Sequence, residues 1–364
     1  VITVLGFRET HKLGLLQTQI GEKYPSLTPD LPETHIFERE LWEQCQVTPV
    51  GHPWLKPARY PGGGPEGEAA VTDFFGIKGQ EIHEVAVGPV HAGVIEPGHF
   101  RFQCHGENVF HLEIHLGYQH RGVERAMVNG PDKRSIHFME TLSGDTSIGH
   151  ATAYALNMEA LGGVNAPVRA QAIRSIALEL ERLANHTGDL GALAVEFGFL
   201  PTSAQCGKLR GDFLNLTGLV CGNRFGRRLV RPGGVAYDLD AKIIADLLSR
   251  LKIALQDLQF PVDLLWTTPS VLARFEGVGN VSRETAVAFG LVGMAARACG
   301  IDMDARHDFP VGAYKLPKDK IAVCPSGDVF ARARIRWLEI QASVEIIEGQ
   351  LNKLPTGTVT VEGA

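Results

Sequence analysis

The sequence has 364 residues, of which 44% are hydrophobic and 21% charged, and its formal net charge is -6 at pH 7. A chain of this length and composition can bury a sizeable core, and it predicts one main domain with a smaller one. The negative balance and the lack of any run of five Lys or Arg residues argue against a nucleic-acid partner. No window of eighteen apolar residues and no leader segment occur, which predicts a chain that neither spans a membrane nor is exported.

The six cysteines are widely spaced and form no CxxC pair. This pattern predicts reduced, mostly buried thiols in a cytoplasmic setting rather than a disulfide framework or a local metal knuckle. The chain starts at Val1 and ends at Ala364 after the extended TGTVTVEG, which predicts that both ends are incomplete.

Residues 1–62 are predicted to form a small α+β unit. VITVLGF is typical of a strand, and HIFERELWEQCQV of a helix, with Phe37, Leu41 and Cys45 at four-residue spacing. The Pro-rich GHPWLKPARYP that follows predicts irregular structure. Residues 63–85, which begin with a Gly/Pro-rich stretch, are predicted to be a linker, and residues 86–364 the main domain.

Residues 99–118 alternate between apolar and polar side chains, which predicts a β-hairpin with one buried face. The apolar set is Phe100, Phe102, Cys104, Phe110, Leu112, Ile114 and Leu116. The opposite face carries His111, Glu113 and His115. This trio is either part of a metal site or a polar face that meets solvent or a partner subunit, and the second interpretation is favoured because one strand face rarely supplies a complete ligand set.

From residue 150 onward the apolar period is helical. One stripe runs from Ile173 to Leu190 and a second from Leu209 to Val220. A third runs from Asp240 to Phe260 and is predicted to stop at Pro261, a fourth runs from Ser282 to Gly300, and a fifth from Phe330 to Leu351. The predicted fold class is therefore α+β, mainly a helical bundle core with a small N-terminal sheet.

The loop ARACGIDMDARHDFPVGAY is richer in charge than packing requires. Arg297, Asp304 and Arg306 lie among six ionisable residues in a short span. The loop is either a solvated charged surface, or a network of paired charges that lines a buried polar cavity or a subunit contact.

Six ordered motifs carry a resemblance to a known family: GPVHAGVIEPGHFRF, GYQHRGVE, ELERLANHTGDLG, RPGGVAYDL, GLVGMAARACGIDMDARHDFP and SGDVFARARIRWLEI. Together they resemble the large subunit shared by group 4 nickel-iron hydrogenases and respiratory complex I, where it is the forty-nine-kilodalton quinone-site subunit. Residues 1–62, with HIFERELWEQ and GHPWLKP, are similar to the end of the thirty-kilodalton subunit of complex I.

The resemblance implies a test for a nickel-iron centre, which the hydrogenases bind through two CxxC pairs. Counting back from the matching His150 places Ser143 and Thr146 where the first two thiolates would lie, and the second pair would lie beyond Ala364. A hydroxyl does not replace a thiolate ligand at neutral pH. The expectation is that this chain binds no metal.

The resemblance to the complex I branch implies a quinone site instead. There, a histidine of the GPxH loop and a tyrosine from the first CxxC segment contact the quinone. His91 and His99 are the loop histidines here, whereas the tyrosine is missing and only Thr141, Ser143 and Gly144 are near its place. A serine or threonine hydroxyl is a far weaker acid than a phenol, which puts the complex I geometry in doubt.

The leading hypothesis is the large subunit of a membrane-associated, complex I-like or hydrogenase-4-like oxidoreductase at the cytoplasmic side of the membrane. It would pass electrons from an iron–sulfur cluster in a neighbouring small subunit to a quinone or a similar acceptor, and would dock on membrane-arm subunits. Any NAD would bind another subunit, because no GxGxxG follows a strand. The alternatives are a structural or coupling subunit without chemistry and, third, a nickel-iron hydrogenase with unusual ligands.

Two sets of residues are predicted for this site. His91, His99, Asp145 and His150 are the catalytic candidates, since histidine suits proton transfer near neutral pH. The predicted cavity lining or relay consists of Glu96, Thr141, Ser143, Gly144, Thr146, Arg297, Asp304 and Arg306. An open polar pocket between the histidine loop and Ser143 would favour catalysis, whereas bulky side chains there would favour a scaffold.

Overall fold

The computed structural model describes residues 1–58, 74–89, 97–313, 316–317 and 320–361. The chain divides into two compact units. The first consists of Val1–Gly6, Leu13–Gly122 and Ala288–Gly290, and the second of Phe7–Lys12, Val123–Val287 and Leu291–Ala364. The predicted boundary between residues 62 and 63 falls outside the described residues, so the predicted domain limits stay predictions.

Strands dominate the N-terminal part of the chain. They are β1 (Ile2–Phe7), β2 (Lys12–Gln17), β3 (Lys23–Pro25), β4 (Thr48–Val50), β5 (Ile82–Val87), β6 (His99–His105) and β7 (Asn108–His115), with helix α1 (His35–Cys45) before β4. β1 pairs with β2, β3 is parallel to β4, and β5, β6 and β7 form an antiparallel sheet. The strand in VITVLGF, the helix in residues 35–47 and the hairpin of residues 99–118 are thereby confirmed.

Helices dominate the second unit. They are α2 (Val123–Ala126), α3 (Ser135–Met139), α4 (Ser147–Gly162), α5 (Val168–Glu196), α6 (Leu200–Cys221), α7 (Ala241–Thr267), α8 (Pro269–Phe275), α9 (Arg283–Ala288), α10 (Gly293–Ala298), α11 (Ala305–Asp308) and α12 (Val329–Asn352). A short hairpin of β8 (Val230–Arg231) and β9 (Gly234–Val235) lies between α6 and α7. The α+β class is confirmed.

The core of the second unit lies where the long helices pack. α5 contacts both α6 and α12, and α6 contacts α7. The predicted stripe residues of α5, from Ile173 to Leu190, are fully buried, as are Leu209 and Phe213 of α6 and Ile340 of α12. The apolar stripes therefore predicted these helices correctly, because each stripe is the face that its helix buries.

Two predicted helix ends are wrong. α7 continues through Pro261 to Thr267 because Pro261, Val262 and Leu265 are all buried, and their packing outweighs the hydrogen bond that proline cannot donate. The single helix predicted for residues 282–300 is two helices, α9 and α10. They are separated at Gly290, whose φ of +60° is left-handed and ends the first helix.

The buried face of α1 is polar, and the predicted buried face of the hairpin is wrong. In α1, Glu38, Arg39 and Glu43 are buried, whereas Phe37 and Cys45 are exposed. Glu38 is held by hydrogen bonds from Ser26, Leu27 and Thr28, which make burial of the carboxylate tolerable. On β7, the apolar residues Phe110, Leu112, Ile114 and Leu116 are exposed. Alternation of side chains thus located the strand but not the face that is covered.

The end of the predicted linker, residues 82–85, is part of β5, which pairs with β6 from Ile82 to Val87. Its start lies outside the described residues. All six cysteines are free, and four of them are buried, as expected.

Candidate functional site

The site segment (residues 141–150) forms the entrance to α4 in the second unit. Thr146 Oγ1 donates to Ser143 Oγ at 3.5 Å. The two hydroxyls that stand in place of the first two thiolates are therefore neighbours. Thr141 Oγ1 donates to the carbonyl of Phe138 at 2.9 Å. A Cβ added to Gly144 would meet no atom within 4 Å, so there is open space at the position nearest the missing tyrosine.

A carboxylate that sequence reasoning missed holds the start of α4. Glu181 of α5 accepts hydrogen bonds from the backbone N–H groups of Ile148 at 2.7 Å and Gly149 at 3.1 Å. A Cβ on Gly149 would lie 3.3 Å from Glu181 Oε1, so glycine allows this close approach. The carboxylate thus supplies acceptors for two helix N–H groups that lack partners within the helix.

The environment of Glu181 raises the pKa of its carboxyl group toward neutral pH. Burial raises the pKa of Glu181 to about 7, although the two N–H donors and Arg182 lower it. The charge of Asp145 raises it further. A carboxyl group with a pKa near 7 can both accept and donate a proton at physiological pH.

Asp145 is held from two sides. Its Oδ2 accepts from Arg210 Nη2 of α6 at 3.1 Å, and its backbone carbonyl accepts from Asn185 Nδ2 at 3.1 Å. Arg210 lies against Gly188 of α5, where an added Cβ would be 2.8 Å from Arg210 Cδ. The geometry of the site segment is therefore set by side chains of α5 and α6.

His150 lies one turn into α4 and is partly buried. Burial lowers its pKa below the ordinary value of histidine. The imidazole is therefore mainly neutral at pH 7, the form in which it can accept a proton.

The charged loop around α11 buries and pairs Arg297, Asp304 and Arg306, which argues against a solvated charged surface. Its role in lining a polar cavity or a subunit contact stays a prediction. Arg306 forms two hydrogen bonds with Asp304, at 3.0 and 2.7 Å, and a third with Glu179 at 3.1 Å. Arg297 pairs with Asp304 at 3.6 Å and with Glu339. All five side chains are at least nine-tenths buried.

Glu339 of α12 joins this network to α5. It accepts from His186 Nε2 at 2.6 Å and pairs with Arg182 at 3.4 Å. Burial raises the pKa of Glu339, but the His186 hydrogen bond and the charges of Arg297 and Arg182 outweigh it, so the pKa lies well below its usual range. In the same way the contacts of Arg306 hold the pKa of Asp304 low against burial. Both carboxylates are therefore charged at neutral pH.

Two cavities of 270 and 320 Å³ lie in the second unit. The first is bordered by α4 and α5 with Val311 and Gly312, and the second by α12 with Ala313 and Leu316. Neither is lined by Arg297, Asp304 or Arg306. The network therefore joins helices and does not line either cavity.

One face of the β5–β6–β7 sheet carries His99, His111 and His115. His99 is buried, its Nδ1 donates to the carbonyl of Gly88 at 3.2 Å, and its Nε2 has no hydrogen-bond partner among the described residues. The ring of Phe74 lies 5.1 Å from it. His91 and Glu96 lie outside the described residues. The predicted cavity between this loop and the site segment, which belongs to the other unit, stays a prediction.

The trio on β7 is engaged by the chain that precedes β5. Glu113 accepts from the backbone N–H of Phe75 at 2.8 Å, His111 lies 4.6 Å from the Phe75 ring and His115 lies 5.1 Å from Phe74. In the ranges that the structure describes, no group of three or more His, Cys, Asp and Glu residues is arranged to hold a metal ion. The polar face of β7 is therefore covered by Phe74 and Phe75 of the same chain. The sequence pattern did not predict this contact.

The chain is similar to one described protein family and to several single proteins. A family model described as the 49 kDa subunit of respiratory-chain NADH dehydrogenase matches residues 196–364. Carbon monoxide-induced hydrogenase of Rhodospirillum rubrum is 32% identical over 278 residues, which cover 76% of this chain and 76% of that protein. NADH-quinone oxidoreductase subunit 4 of Thermus thermophilus is 32% identical over 279 residues, covering 77% of this chain and 68% of that protein.

The chain belongs to the family of the 49 kDa subunit of NADH dehydrogenase and the related hydrogenases. Formate hydrogenlyase subunit 5 of Escherichia coli (strain K12) is 31% identical over 367 residues, which cover 94% of this chain but 64% of that protein. The chain therefore spans slightly less than two thirds of that relative. These names describe oxidoreductases or their subunits, and this chain is accordingly a member of an oxidoreductase subunit family.

Membership of the NADH dehydrogenase and hydrogenase family does not test the predictions made for single segments and residues. The likeness of residues 1–62 to the thirty-kilodalton subunit of complex I stays a prediction, as do the roles of the site residues. In the described part of the chain, no helix is both long and apolar enough to cross a bilayer.

Several residues of this family member were missed at the sequence level although a signal existed. Glu179 lies three residues after Ile176 and four before Leu183, so it is a carboxylate on the buried face of α5. Glu339 lies four residues after Ile335 on the buried face of α12. An acid within an apolar stripe predicts a buried partner. Glu181 and Arg210 gave no such signal, because both are only partly buried and neither belongs to the apolar stripe of its helix.

Proposed function

We propose that this chain is the large subunit of a membrane-associated oxidoreductase that resembles complex I or hydrogenase-4. It receives electrons from an iron–sulfur cluster in a neighbouring small subunit and passes them to a quinone or a similar acceptor, without a nickel-iron centre. It lies in the peripheral arm at the cytoplasmic side of the membrane, and any NAD binds another subunit. The observation that carries the proposal is a pair of hydroxyls, Ser143 and Thr146, within the fold of a hydrogenase-related family.

The chemistry of this pair argues against nickel. Ligands of the nickel-iron centre must be thiolates, and cysteine ionises near pH 8.5, or lower beside a metal, whereas the hydroxyls of serine and threonine stay protonated at neutral pH. Ser143 and Thr146 are close enough to act together, since their oxygens are 3.5 Å apart. The residues present do not fit the metal centre, so no step of the proposed reaction passes through it.

Reduction of a quinone to a quinol consumes two electrons and two protons. The electrons come from the cluster of the neighbouring subunit, and the protons must come from ionisable side chains near the head group. His91 or His99 is proposed as the direct donor, and Glu181, His150 and Asp145 as groups that exchange protons at the site segment. The pKa of about 7 at Glu181 supports this, because such a group releases and regains a proton at small cost near neutral pH.

Purification of the intact complex tests the proposal. We expect nickel far below one atom per chain by elemental analysis, together with quinone reduction that depends on the electron donor of the complex. His99→Gln should lower the turnover number by about 100-fold, a typical contribution of one general acid. His83→Gln is the matched control, since His83 is an exposed histidine of the same sheet, and should leave turnover unchanged. Stoichiometric nickel in this subunit would refute the proposal.

A scaffold without chemistry is the second candidate, and one observation favours it. Asp145 is already paired with Arg210, and both oxygens of Glu181 accept backbone hydrogen bonds, so these groups are satisfied without a ligand. In that case His99→Gln and His83→Gln would have the same turnover, while deletion of this chain would still prevent assembly of the complex.

A further inference from the structure

An arginine-rich turn stands out on a chain of net negative charge. Arg224, Arg227, Arg228 and Arg231 fall within the arginine loop (residues 223–231), between α6 and the β8–β9 hairpin, and all four side chains are exposed. Among the described residues, none of the four guanidinium groups has an ion pair or a hydrogen bond to a side chain. The net charge of the whole chain is -6, so this local excess of positive charge is not a general property of the surface.

The backbone of the arginine loop is fixed by buried or partly buried groups. Asn223 Oδ1 accepts from the N–H groups of Phe225 at 2.9 Å and Arg227 at 3.3 Å, and Glu140 Oε1 accepts from the N–H of Arg228 at 2.5 Å. The exposed charges therefore project from a pre-formed turn, and less entropy is lost when they bind a partner.

The end of the loop is fixed in the same way. The buried Arg174 donates to the carbonyl of Arg231 at 2.6 Å, and its partner Glu159 accepts from the N–H of Gly233 at 2.8 Å. Five hydrogen bonds thus hold the backbone of the turn and of the residues just after it, while the arginine side chains take no part in them.

One of the four side chains is also guided by α6. Cβ atoms added to Gly218 and Gly211 would lie 3.8 Å from Arg224 Cγ and 4.0 Å from its Nη2. Arg224 therefore packs on α6 beside Gly218 and Gly211, and its guanidinium end lies two turns back along the helix.

We propose that the arginine loop is a docking surface for an acidic segment of a partner protein. Each guanidinium group can bind a carboxylate through two parallel hydrogen bonds, which lysine cannot do. The segment has four arginines and no lysine. A chain with clustered Asp or Glu side chains matches this surface in charge and in hydrogen-bond geometry.

An anionic membrane is the competing occupant, and the apolar residues of the loop argue against it. A surface that inserts into a bilayer carries apolar side chains beside the basic ones. Here Leu229 and Val230 are fully buried and Phe225 packs against the core of the second unit. The loop offers charge without an apolar face.

Site-specific crosslinking in the intact complex tests the proposal. A photoreactive benzoylphenylalanine replaces Arg227, and crosslinked peptides are identified by mass spectrometry. We expect an adduct with a peptide of another subunit that is rich in Asp and Glu. The control position is Arg274, an exposed arginine at the end of α8, and it should give no such adduct. Adducts with lipid alone, or with a peptide lacking acidic residues, would overturn the proposal.

Charge removal gives a second, independent measurement. The triple variant R224Q/R227Q/R228Q should release the crosslinked subunit about tenfold more readily in a salt wash than wild type or R274Q, since exposed ion pairs contribute modestly and are screened by salt. The melting temperature should stay unchanged, because the hydrogen bonds that hold the loop come from its backbone. Equal release from the triple variant and R274Q would contradict a role for these charges.

Discussion

At the scale of single residues, the fold moves the pKa of Glu181 close to neutral pH. Its carboxylate lies at the positive end of α4, yet burial outweighs the two N–H donors and raises its pKa to about 7. In the unfolded chain the same group has a pKa near 4.3. Between about pH 4.5 and pH 7 the folded state therefore keeps a proton that the unfolded state has released.

This difference predicts how Glu181→Gln changes stability with pH. A pKa raised by folding contributes stability that is present at low pH and is lost as pH rises through the folded pKa. From pH 4.5 to 7, the free energy of unfolding of wild type should fall relative to that of Glu181→Gln, by on the order of 3 kcal/mol at most, and then stay level. Urea unfolding at several pH values measures this. A constant difference between the two proteins over this range would show that Glu181 keeps its ordinary pKa.

The residues of the candidate site were only partly predictable, for a physical reason. Ser143, Thr146 and His150 are local in sequence, and a motif places them together. Glu181, Asn185 and Arg210 reach the same segment from two other helices, and their contribution depends on how α5 and α6 pack. Sequence patterns describe one element at a time, so they reveal a buried charge such as Glu179 but not its partner.

At the scale of elements, buried charged side chains connect α5, α11 and α12 beside the apolar core that α5 and α12 share. Glu179 and Glu339 are the acidic side, and Arg297 and Arg306 the basic side, of a network with almost no access to water. Such a network need not stabilise the fold more than apolar packing would, but removal of one member leaves another charge buried and unpaired.

The network predicts that substitution of one glutamate of α12 lowers the stability much more than substitution of another. Glu339→Gln should lower the free energy of unfolding by about 3–5 kcal/mol, because Arg297 keeps only its 3.6 Å pair with Asp304 and loses its second carboxylate in a buried position. Glu345→Gln is the control, since Glu345 pairs with Lys320 at the exposed surface, and should cost less than about 1 kcal/mol. Denaturant titration compares the two variants. Similar losses would mean that the buried charges are compensated by groups other than Glu339.

The helices were more predictable than the strands. In α5, α6 and α12 an apolar stripe of several turns matches a buried face, whereas α7 shows that buried packing can carry a helix through proline. For β7 the alternation gave the strand correctly, but its apolar side is exposed and its histidine side is covered by Phe74 and Phe75. Which side of a sheet is covered depends on segments elsewhere in the chain, and these left no periodic signal.

At the scale of the whole molecule, apolar burial is distributed very unevenly. Among the described residues, Cys104 is the only buried hydrophobic residue of the first unit, whereas the second unit contains all the other members of that set. The first unit instead exposes Leu13, Leu15, Phe110 and Leu116. Since burial of apolar surface is the main source of stability, the two units should differ in local stability.

Hydrogen exchange of the isolated chain should show this difference. Amide protons of β6 and β7 should exchange at least about 100-fold faster than those of α5, which corresponds to a local opening free energy lower by roughly 3 kcal/mol. Within the intact complex the strand amides should slow, because a partner that covers Phe110, Leu112 and Ile114 would supply the missing burial, while the α5 amides should stay unchanged. Mass spectrometry of both samples measures the two regions in one experiment. Equal protection of β7 and α5 in the isolated chain would mean that the first unit is stabilised by something other than its own apolar contacts.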